Sequence, residues 1–241
     1  MSKFYQIMNN PVFTFIGKLL DVIVLHFLWI VCSLPIVTFG ASTTALYYAL
    51  MKEAEDKEGH YFRQFFKSFK MNLKQGIGVG LLFIVVEGGL LYSAYLCSAN
   101  IDLNPAFVVF RIIALALAVL ALLIFEYVFP LLARFDNTLV NTFKNAFLFA
   151  IRYFGWTLVM AAMIVGFYVL MYYFERYIFP LMILGFGLPA FGCAYILNRI
   201  FKPYIDAVEQ EEEEKREKAR EEREKAEAAA MASQPEEGKT E

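Results

Sequence analysis

Five long stretches of almost uninterrupted apolar residues divide this chain, each about twenty residues in length. A helix needs about 20 consecutive apolar residues to cross the hydrocarbon core of a bilayer, whereas a helix of a soluble domain needs only one apolar face. Hydrophobic residues make up 59% of the chain and charged residues 19%, against roughly 45–50% and 25% in soluble domains. The sequence therefore predicts an all-α polytopic membrane protein. Its five transmembrane helices are expected at residues 19–39, 76–96, 107–132, 154–173 and 177–197.

The charge distribution predicts two parts, a membrane domain at residues 1–205 and a charged tail at residues 206–241. Residues 209–241 carry a net charge of −6, whereas residues 1–208 carry +4. Acidic residues in the tail precede basic residues by four positions, as Glu211 precedes Lys215. Such pairs stabilise an exposed helix by about 0.2–0.5 kcal/mol each. We therefore expect a solvated cytoplasmic helix that ends near residue 230, followed by a disordered end.

Lys and Arg residues are concentrated in alternate loops. Six lie between the first and second predicted spans and three between the third and fourth, whereas residues 100–104 contain none. Lys and Arg accumulate in cytoplasmic loops of membrane proteins. The sequence therefore predicts a multi-pass protein with its N-terminus outside and its C-terminus in the cytoplasm, as an odd number of spans requires.

The first apolar stretch has a second interpretation, a cleaved secretory signal peptide. Lys3 and Lys18 precede it, as basic residues precede the apolar region of a signal peptide. However, the stretch is longer than such a region, and no clear cleavage site of small residues follows it. We therefore interpret it as a retained transmembrane helix.

Residues 61–74 form the clearest amphipathic pattern. At helical spacing, Phe62, Phe65, Phe66, Phe69 and Leu73 share one face, and the basic residues share another. The helix could lie in the cytoplasmic leaflet, or it could dock a cytoplasmic partner such as a transport ATPase. Nucleic-acid binding is disfavoured because the aromatic face suits a membrane. The basic residues that would contact lipid headgroups or the partner are Arg63, Lys67, Lys70 and Lys74.

Ionisable residues inside the apolar stretches are candidates for an intramembrane polar site, because isolated charges are costly in hydrocarbon. At 1.5 Å per residue, Glu87, His26 and Arg111 would lie about 15, 10 and 7 Å below the outer face. A Glu87–Arg111 pair with His26 nearby is therefore possible. It would either hold helices together or form part of a solute or proton path. Asp21 and Glu126 also lie inside apolar stretches, and Glu126 would need another partner, such as Arg134 or a loop base.

The end of the first apolar stretch contains a predicted elbow. Pro35 should bend the chain, Gly40 should permit a turn, and Ser42 or Thr43 should cap the next helix. We expect this cytoplasmic helix at residues 44–57.

Motifs for catalysis, cofactors and metals are not found in the sequence. It contains no phosphate-binding glycine loop, nucleophile elbow or zinc-binding helix motif. The three cysteines, Cys32, Cys97 and Cys193, are widely spaced and are interpreted as small packing residues. We therefore predict no catalytic residue, no cofactor and no metal site, and a non-enzymatic protein.

The elbow resembles the signature of the YesL-like family, which comprises bacterial integral membrane proteins with a domain of unknown function. The similarity lies in residues 28–41, LWIVCSLPIVTFGA, and in residues 44–48, TALYY. It extends more weakly over residues 5–205. Family members typically carry an Asn before the Leu-Trp pair, where this chain has His26 nearby. The weaker matching segments are residues 62–70, 72–75, 132–136 and 188–190.

The resemblance implies a role, because genes of this family often neighbour genes for sugar ABC transporters and polysaccharide use. It implies a protein of the bacterial cell membrane that assists or regulates carbohydrate uptake, with a transporter component as partner besides the bilayer. The alternative is a membrane subunit of a transporter, which would form a solute path as an oligomer. An internal inverted repeat would favour the alternative, and none is visible in the sequence.

Overall fold

The computed structural model describes residues 11–55, 60–101, 104–173 and 185–232. These residues form α-helices joined by short turns, and no strand occurs among them. A short 3-10 turn at Ile36–Thr38 separates the first two helices. The helices are α1 (Pro11–Ser33), α2 (Phe39–Ala54), α3 (Tyr61–Met71), α4 (Leu73–Ala99), α5 (Ala106–Arg134), α6 (Leu139–Arg152), α7 (Phe154–Tyr173) and α8 (Gly187–Ala232).

Four of these helices, α1, α4, α5 and α7, are long and apolar enough to cross a membrane. Large apolar side chains are exposed along them, among them Val85 and Val119, as expected for surfaces that contact lipid. A polytopic membrane protein is therefore supported. The predicted fifth span, residues 177–197, lies partly outside the described residues, and its later part is the beginning of α8. A fifth span remains a prediction.

The boundary of α1 differs from the prediction. The helix ends at Ser33 and not at residue 39, because Pro35 has no N–H to continue the helical hydrogen bonds. The Thr38 hydroxyl lies 2.6 Å from the Cys32 carbonyl oxygen and 2.7 Å from that of Pro35, and can donate to either. It thus satisfies a carbonyl group that the helix end leaves free.

Helix α2 is the most buried helix of the described chain, which the sequence did not predict. We expected a helix capped by Ser42 or Thr43 that started at residue 44 in a cytoplasmic loop. Instead, α2 starts at Phe39, and twelve of its residues are buried. The Thr43 and Thr44 hydroxyls donate to the carbonyls of Phe39 and Gly40, each at 2.8 Å, so they are satisfied inside the helix. The helix packs against α1, α3, α4 and α5.

Glycines allow α2 to cross α4 with the two backbones in contact. A Cβ atom on Gly80 would lie 2.6 Å from the backbone N of Gly40, and a Cβ on Gly76 would lie 2.6 Å from the Cα of Ala41. Gly76 and Gly80 are four residues apart, so they share one face of α4. This small-residue spacing is the one that lets membrane helices approach closely. It brings the start of α2 against α4.

The chain forms two compact units, Met1–Asn198 and Arg199–Glu241. The second unit contains most of α8, and its described residues from Asp206 to Lys225 are all exposed. Acid–base pairs four residues apart run along this helix, including Glu211–Lys215 at 2.7 Å and Glu212–Arg216 at 3.5 Å. The hydrogen bond from Lys215 lowers the pKa of Glu211, and the same bond raises the pKa of Lys215.

Candidate functional site

The predicted Glu87–Arg111 ion pair does not form within the described part of the chain. Both residues lie on adjacent antiparallel helices, and each has a buried polar atom without a hydrogen-bond partner, Oε1 of Glu87 and Nε of Arg111. Arg111 is five residues from the start of α5, whereas Glu87 is twelve residues from the end of α4. At 1.5 Å per residue, the two levels differ by about 10 Å, and the side chains do not bridge this distance.

His26 lies at the contact of α1 with the chain that enters α8. Its imidazole stacks on Trp29 with ring centroids 5.7 Å apart, and a Cβ on Gly185 would overlap its Nε2 atom. His26 is buried, with 3% of its surface exposed. Among the described residues, Glu87 and Arg111 are therefore not joined to each other by a hydrogen bond or an ion pair, and a polar group that includes His26 stays a prediction.

The basic residues of the amphipathic helix share an exposed surface. Phe65 is fully buried, and Phe66 and Phe69 are half-buried, because α3 packs on α2 with this side. The aromatic side thus covers the protein itself and is not left for lipid, although Phe62 stays exposed. We call the exposed cations the basic face; they are Arg63, Lys67 and Lys70 on α3 and Lys74 at the start of α4.

A cavity of about 250 Å³ lies between the helices of the first unit. Its walls come from α1, α2, α4, α5, α7 and the residue before α8, so it depends on the packing of the whole bundle. Eight of its twelve lining residues are aromatic. The lining residues are Trp29, Phe39, Thr43, Tyr47, Phe83, Leu122, Phe125, Glu126, Phe129, Ile164, Tyr168 and Phe186.

The aromatic side chains of the wall pack on each other in edge-to-face geometry. The rings of Phe83 and Phe125 have centroids 4.9 Å apart at 79°, and those of Phe39 and Phe129 are 6.2 Å apart at 85°. Such pairs add about 0.5–1.5 kcal/mol each beyond the burial of their area. The aromatic wall is therefore held in place by its own contacts.

Glu126 is the charged residue of the wall. Only 8% of its surface is exposed, and neither carboxylate oxygen has a hydrogen-bond partner. The described lining residues include no Lys, Arg or His. The sequence suggested Arg134 as a partner for Glu126, but the Arg134 guanidinium pairs with Glu55. Arg134 lies eight residues further along α5, about 12 Å from Glu126.

Two other polar side chains of the wall are hydrogen-bonded within the protein. The indole N–H of Trp29 donates to Thr43 Oγ1 at 3.0 Å, and the Thr43 hydroxyl donates to the Phe39 carbonyl. This chain of bonds ties α1 to α2 at the cavity. Among the described lining residues, Glu126 is therefore the charged residue whose buried oxygens have no hydrogen-bond partner, and the hydroxyls of Tyr47 and Tyr168 lie in the same wall.

Sequence reasoning noted Glu126 but did not place it at a site. Its aromatic neighbours lie in apolar stretches. Phe is common in membrane helices, so these residues give no separate signal of a site. The signal that could have revealed the site is the spacing of Phe125 and Phe129, four residues apart and beside Glu126. Among the described residues, no group of three or more His, Cys, Asp or Glu could hold a metal ion.

The chain matches the model of a protein family described as "Protein of unknown function, DUF624" over residues 22–95. This part includes α2, α3, most of α1 and α4, and five of the cavity's lining residues. No curated protein and no solved structure matches the chain. The match supports an uncharacterised family, and it does not support the name YesL-like.

Proposed function

We propose that this chain is a non-enzymatic membrane protein that assists carbohydrate uptake by docking a cytoplasmic component of a sugar ABC transporter. The observation that carries the proposal is the basic face, whose four cations are exposed while the aromatic side of α3 packs on α2. The carbohydrate role itself rests on the resemblance of the elbow to the YesL-like family.

The arrangement of α3 favours a protein partner over a purely lipid role. An interfacial helix binds a membrane by burying its apolar face in the headgroup region, but most of that face is used inside this protein. A cluster of exposed cations attracts an acidic protein surface and accelerates encounter with it. Because the cations are exposed, salt should weaken this attraction.

The proposal includes the orientation that the loop charges predict. A bacterial cell-membrane protein with five spans would have its N-terminus outside and its C-terminus in the cytoplasm, with the basic face on the cytoplasmic side. Reporter fusions after Leu73 and after Ala228 should read as cytoplasmic, and a fusion near Leu103 should read as external. An external C-terminus would contradict the five-span topology.

The proposed partner is tested by purification of the tagged full-length chain from native membranes, followed by mass spectrometry. A variant with Arg63, Lys67 and Lys70 changed to Glu should lose a sugar-transport ATPase or permease that the wild type retains. A matched variant with Lys218, Arg220 and Arg223 changed to Glu reverses three exposed cations of the tail and should retain it. Equal recovery with both variants, or no transporter component with the wild type, would contradict the proposal.

The lipid interpretation has its own test. The wild type and the basic-face variant can be reconstituted in nanodiscs with neutral lipid or with added anionic lipid. If the basic face serves a protein partner, capture of that partner should differ between the variants in both lipid mixtures. A difference that appears only with anionic lipid would assign the basic face to the membrane.

A second candidate, which does not rest on the cavity, is a transporter subunit that forms a solute path as an oligomer. Its test is uptake of a labelled sugar into proteoliposomes that contain only this chain, together with chemical cross-linking to detect the oligomer. Uptake above that of empty vesicles would support this candidate over the accessory role.

A further inference from the structure

The polar groups that line the cavity are suited to binding a cation. Glu126 contributes a buried carboxyl group whose two oxygens lack hydrogen-bond partners among the described residues, and none of the described lining residues is basic. A buried carboxylate is costly unless a positive charge or a hydrogen-bond donor compensates it. Among the described residues no hydrogen bond reaches the Glu126 carboxyl, although the hydroxyl groups of Tyr47 and Tyr168 belong to the same wall. A bound organic cation would supply the positive charge.

The aromatic wall suits the same ligand. The faces of Trp, Tyr and Phe rings attract cations, and recognition of quaternary ammonium groups uses several such rings around one charge. The cavity has one Trp, two Tyr and five Phe side chains in its wall. Phe39 packs edge to face on Phe129, and Phe83 packs edge to face on Phe125. These contacts hold the rings in place before a ligand binds.

A sugar fits this cavity poorly. Each buried hydroxyl of a sugar needs a hydrogen-bond partner, since an unpaired polar group in an apolar site costs binding free energy. Thr43 and the Trp29 indole already bond within the protein. Among the described lining residues, the carboxyl of Glu126 and the hydroxyls of Tyr47 and Tyr168 remain to pair the several hydroxyl groups of a sugar, which are too many for them. The chemistry therefore favours an apolar molecule with one charged group.

The size of the cavity limits the ligand to a small molecule. Its volume of about 250 Å³ exceeds the roughly 150 Å³ of an apolar cavity that accepts benzene. It is below the roughly 300–1,000 Å³ of pockets for drug-sized ligands. A ligand with one aromatic or alkyl body and one ammonium group is of the right size.

We propose that this cavity binds a small organic cation, an amine or quaternary ammonium compound, whose charge is paired with Glu126 and enclosed by the aromatic wall. The site is separate from the basic face, so this proposal stands or falls independently of the accessory role. The two are distinguishable because one is tested at the cavity and the other by capture of a cytoplasmic protein.

The test uses the intrinsic fluorescence of Trp29. The chain has two Trp residues, so Trp156→Phe leaves Trp29, in the cavity wall, as the reporter. The purified full-length protein is titrated with benzyltrimethylammonium, with its uncharged isostere neopentylbenzene, and with methyl glucoside. We expect a saturable change with the cation, binding at least tenfold weaker for the isostere, and no competition by the sugar. The same titration of a Trp29→Phe protein measures the fluorescence change that does not come from the cavity.

Two variants connect the binding to the carboxyl group. Glu126→Gln should weaken binding of the cation at least tenfold while leaving the isostere unchanged. Asp21→Asn, which neutralises a carboxylate of α1 outside the cavity wall, should have no effect. Equal affinity for the cation and the isostere in the Trp156→Phe protein, which keeps Glu126, would overturn the proposal. So would an absence of saturable binding, competition by the sugar, or a Glu126→Gln protein that folds and binds the cation normally.

Discussion

The hydroxyl groups of Tyr127 on α5 and Thr157 on α7 lie 2.9 Å apart, and both side chains are fully buried. The Thr157 oxygen also lies 3.1 Å from the carbonyl oxygens of Ala150 and Tyr153 at the end of α6. One pair of hydroxyls therefore joins α5 to the junction of α6 and α7. It fixes the two membrane helices that carry Glu126 and Tyr168 of the cavity.

Removal of the Tyr127 hydroxyl should destabilise the protein. Tyr127→Phe deletes one buried hydrogen bond and leaves the ring in place, so the free energy of unfolding should fall by about 0.5–1.5 kcal/mol. Unfolding of the detergent-solubilised protein by denaturant measures the change. Tyr195→Phe is the control, because Tyr195 is 65% exposed and its change should be close to zero. Equal effects of the two substitutions would show that the buried bond contributes nothing.

The crossing of α2 and α4 should not tolerate a methyl group. Gly80→Ala would place a Cβ atom 2.6 Å from the Gly40 backbone N, and such overpacking costs about 1–3 kcal/mol. Gly78→Ala is a matched control two residues away on the same helix, where a Cβ meets no atom within 4 Å. It should be neutral or stabilising, since Ala favours a helix over Gly by about 1 kcal/mol. Thermal stability in detergent distinguishes them, and similar shifts would contradict the close crossing.

Glu87 and Arg111 should behave as independent sites. Because they form no ion pair, the effects of Glu87→Gln and Arg111→Gln on the free energy of unfolding should add in the double variant to within about 0.3–0.5 kcal/mol. Denaturant unfolding of the wild type, both single variants and the double variant provides the test. A double variant that costs clearly less than the sum would restore the pair that the sequence suggested.

The charged tail should not contribute to the stability of the membrane unit. Truncation after Asp206 removes residues of α8 whose described side chains are all exposed as far as Lys225. Membrane insertion and the midpoint of thermal unfolding in detergent should stay unchanged. A lower midpoint in the truncated protein would show that the tail packs on another part of the protein.

The sequence predicts apolar helices well because their signal is local. The span at residues 154–173 coincides with α7, and those at 76–96 and 107–132 lie inside α4 and α5. Length and uninterrupted apolar composition decide such helices, so no knowledge of neighbours is needed. The end of α1 was missed because Pro35 stops a helix that its apolar composition would continue.

Packing between helices is much harder to predict from sequence. Helix α2 is buried although Ser42, Thr43 and Thr44 give it a polar sequence, because its hydroxyls are satisfied by its own backbone. Depth along a helix suggested the Glu87–Arg111 pair, but depth alone does not fix which face a side chain occupies or how far it reaches. The cavity around Glu126 draws residues from five helices and the residue before a sixth, so no local pattern defines it.

The burial of α2 also has a consequence for biogenesis. With 16 residues and a buried Glu53, this helix is too short and too polar to enter lipid unaided, unlike α1, which precedes it, and α4, which follows it. Three of its packing partners, α3, α4 and α5, are synthesised after it. We therefore expect that α2 leaves the insertion machinery without its packing partners and reaches its buried position only when the later helices pack around it. This stage of synthesis should be the one at which quality-control proteases most readily attack the chain.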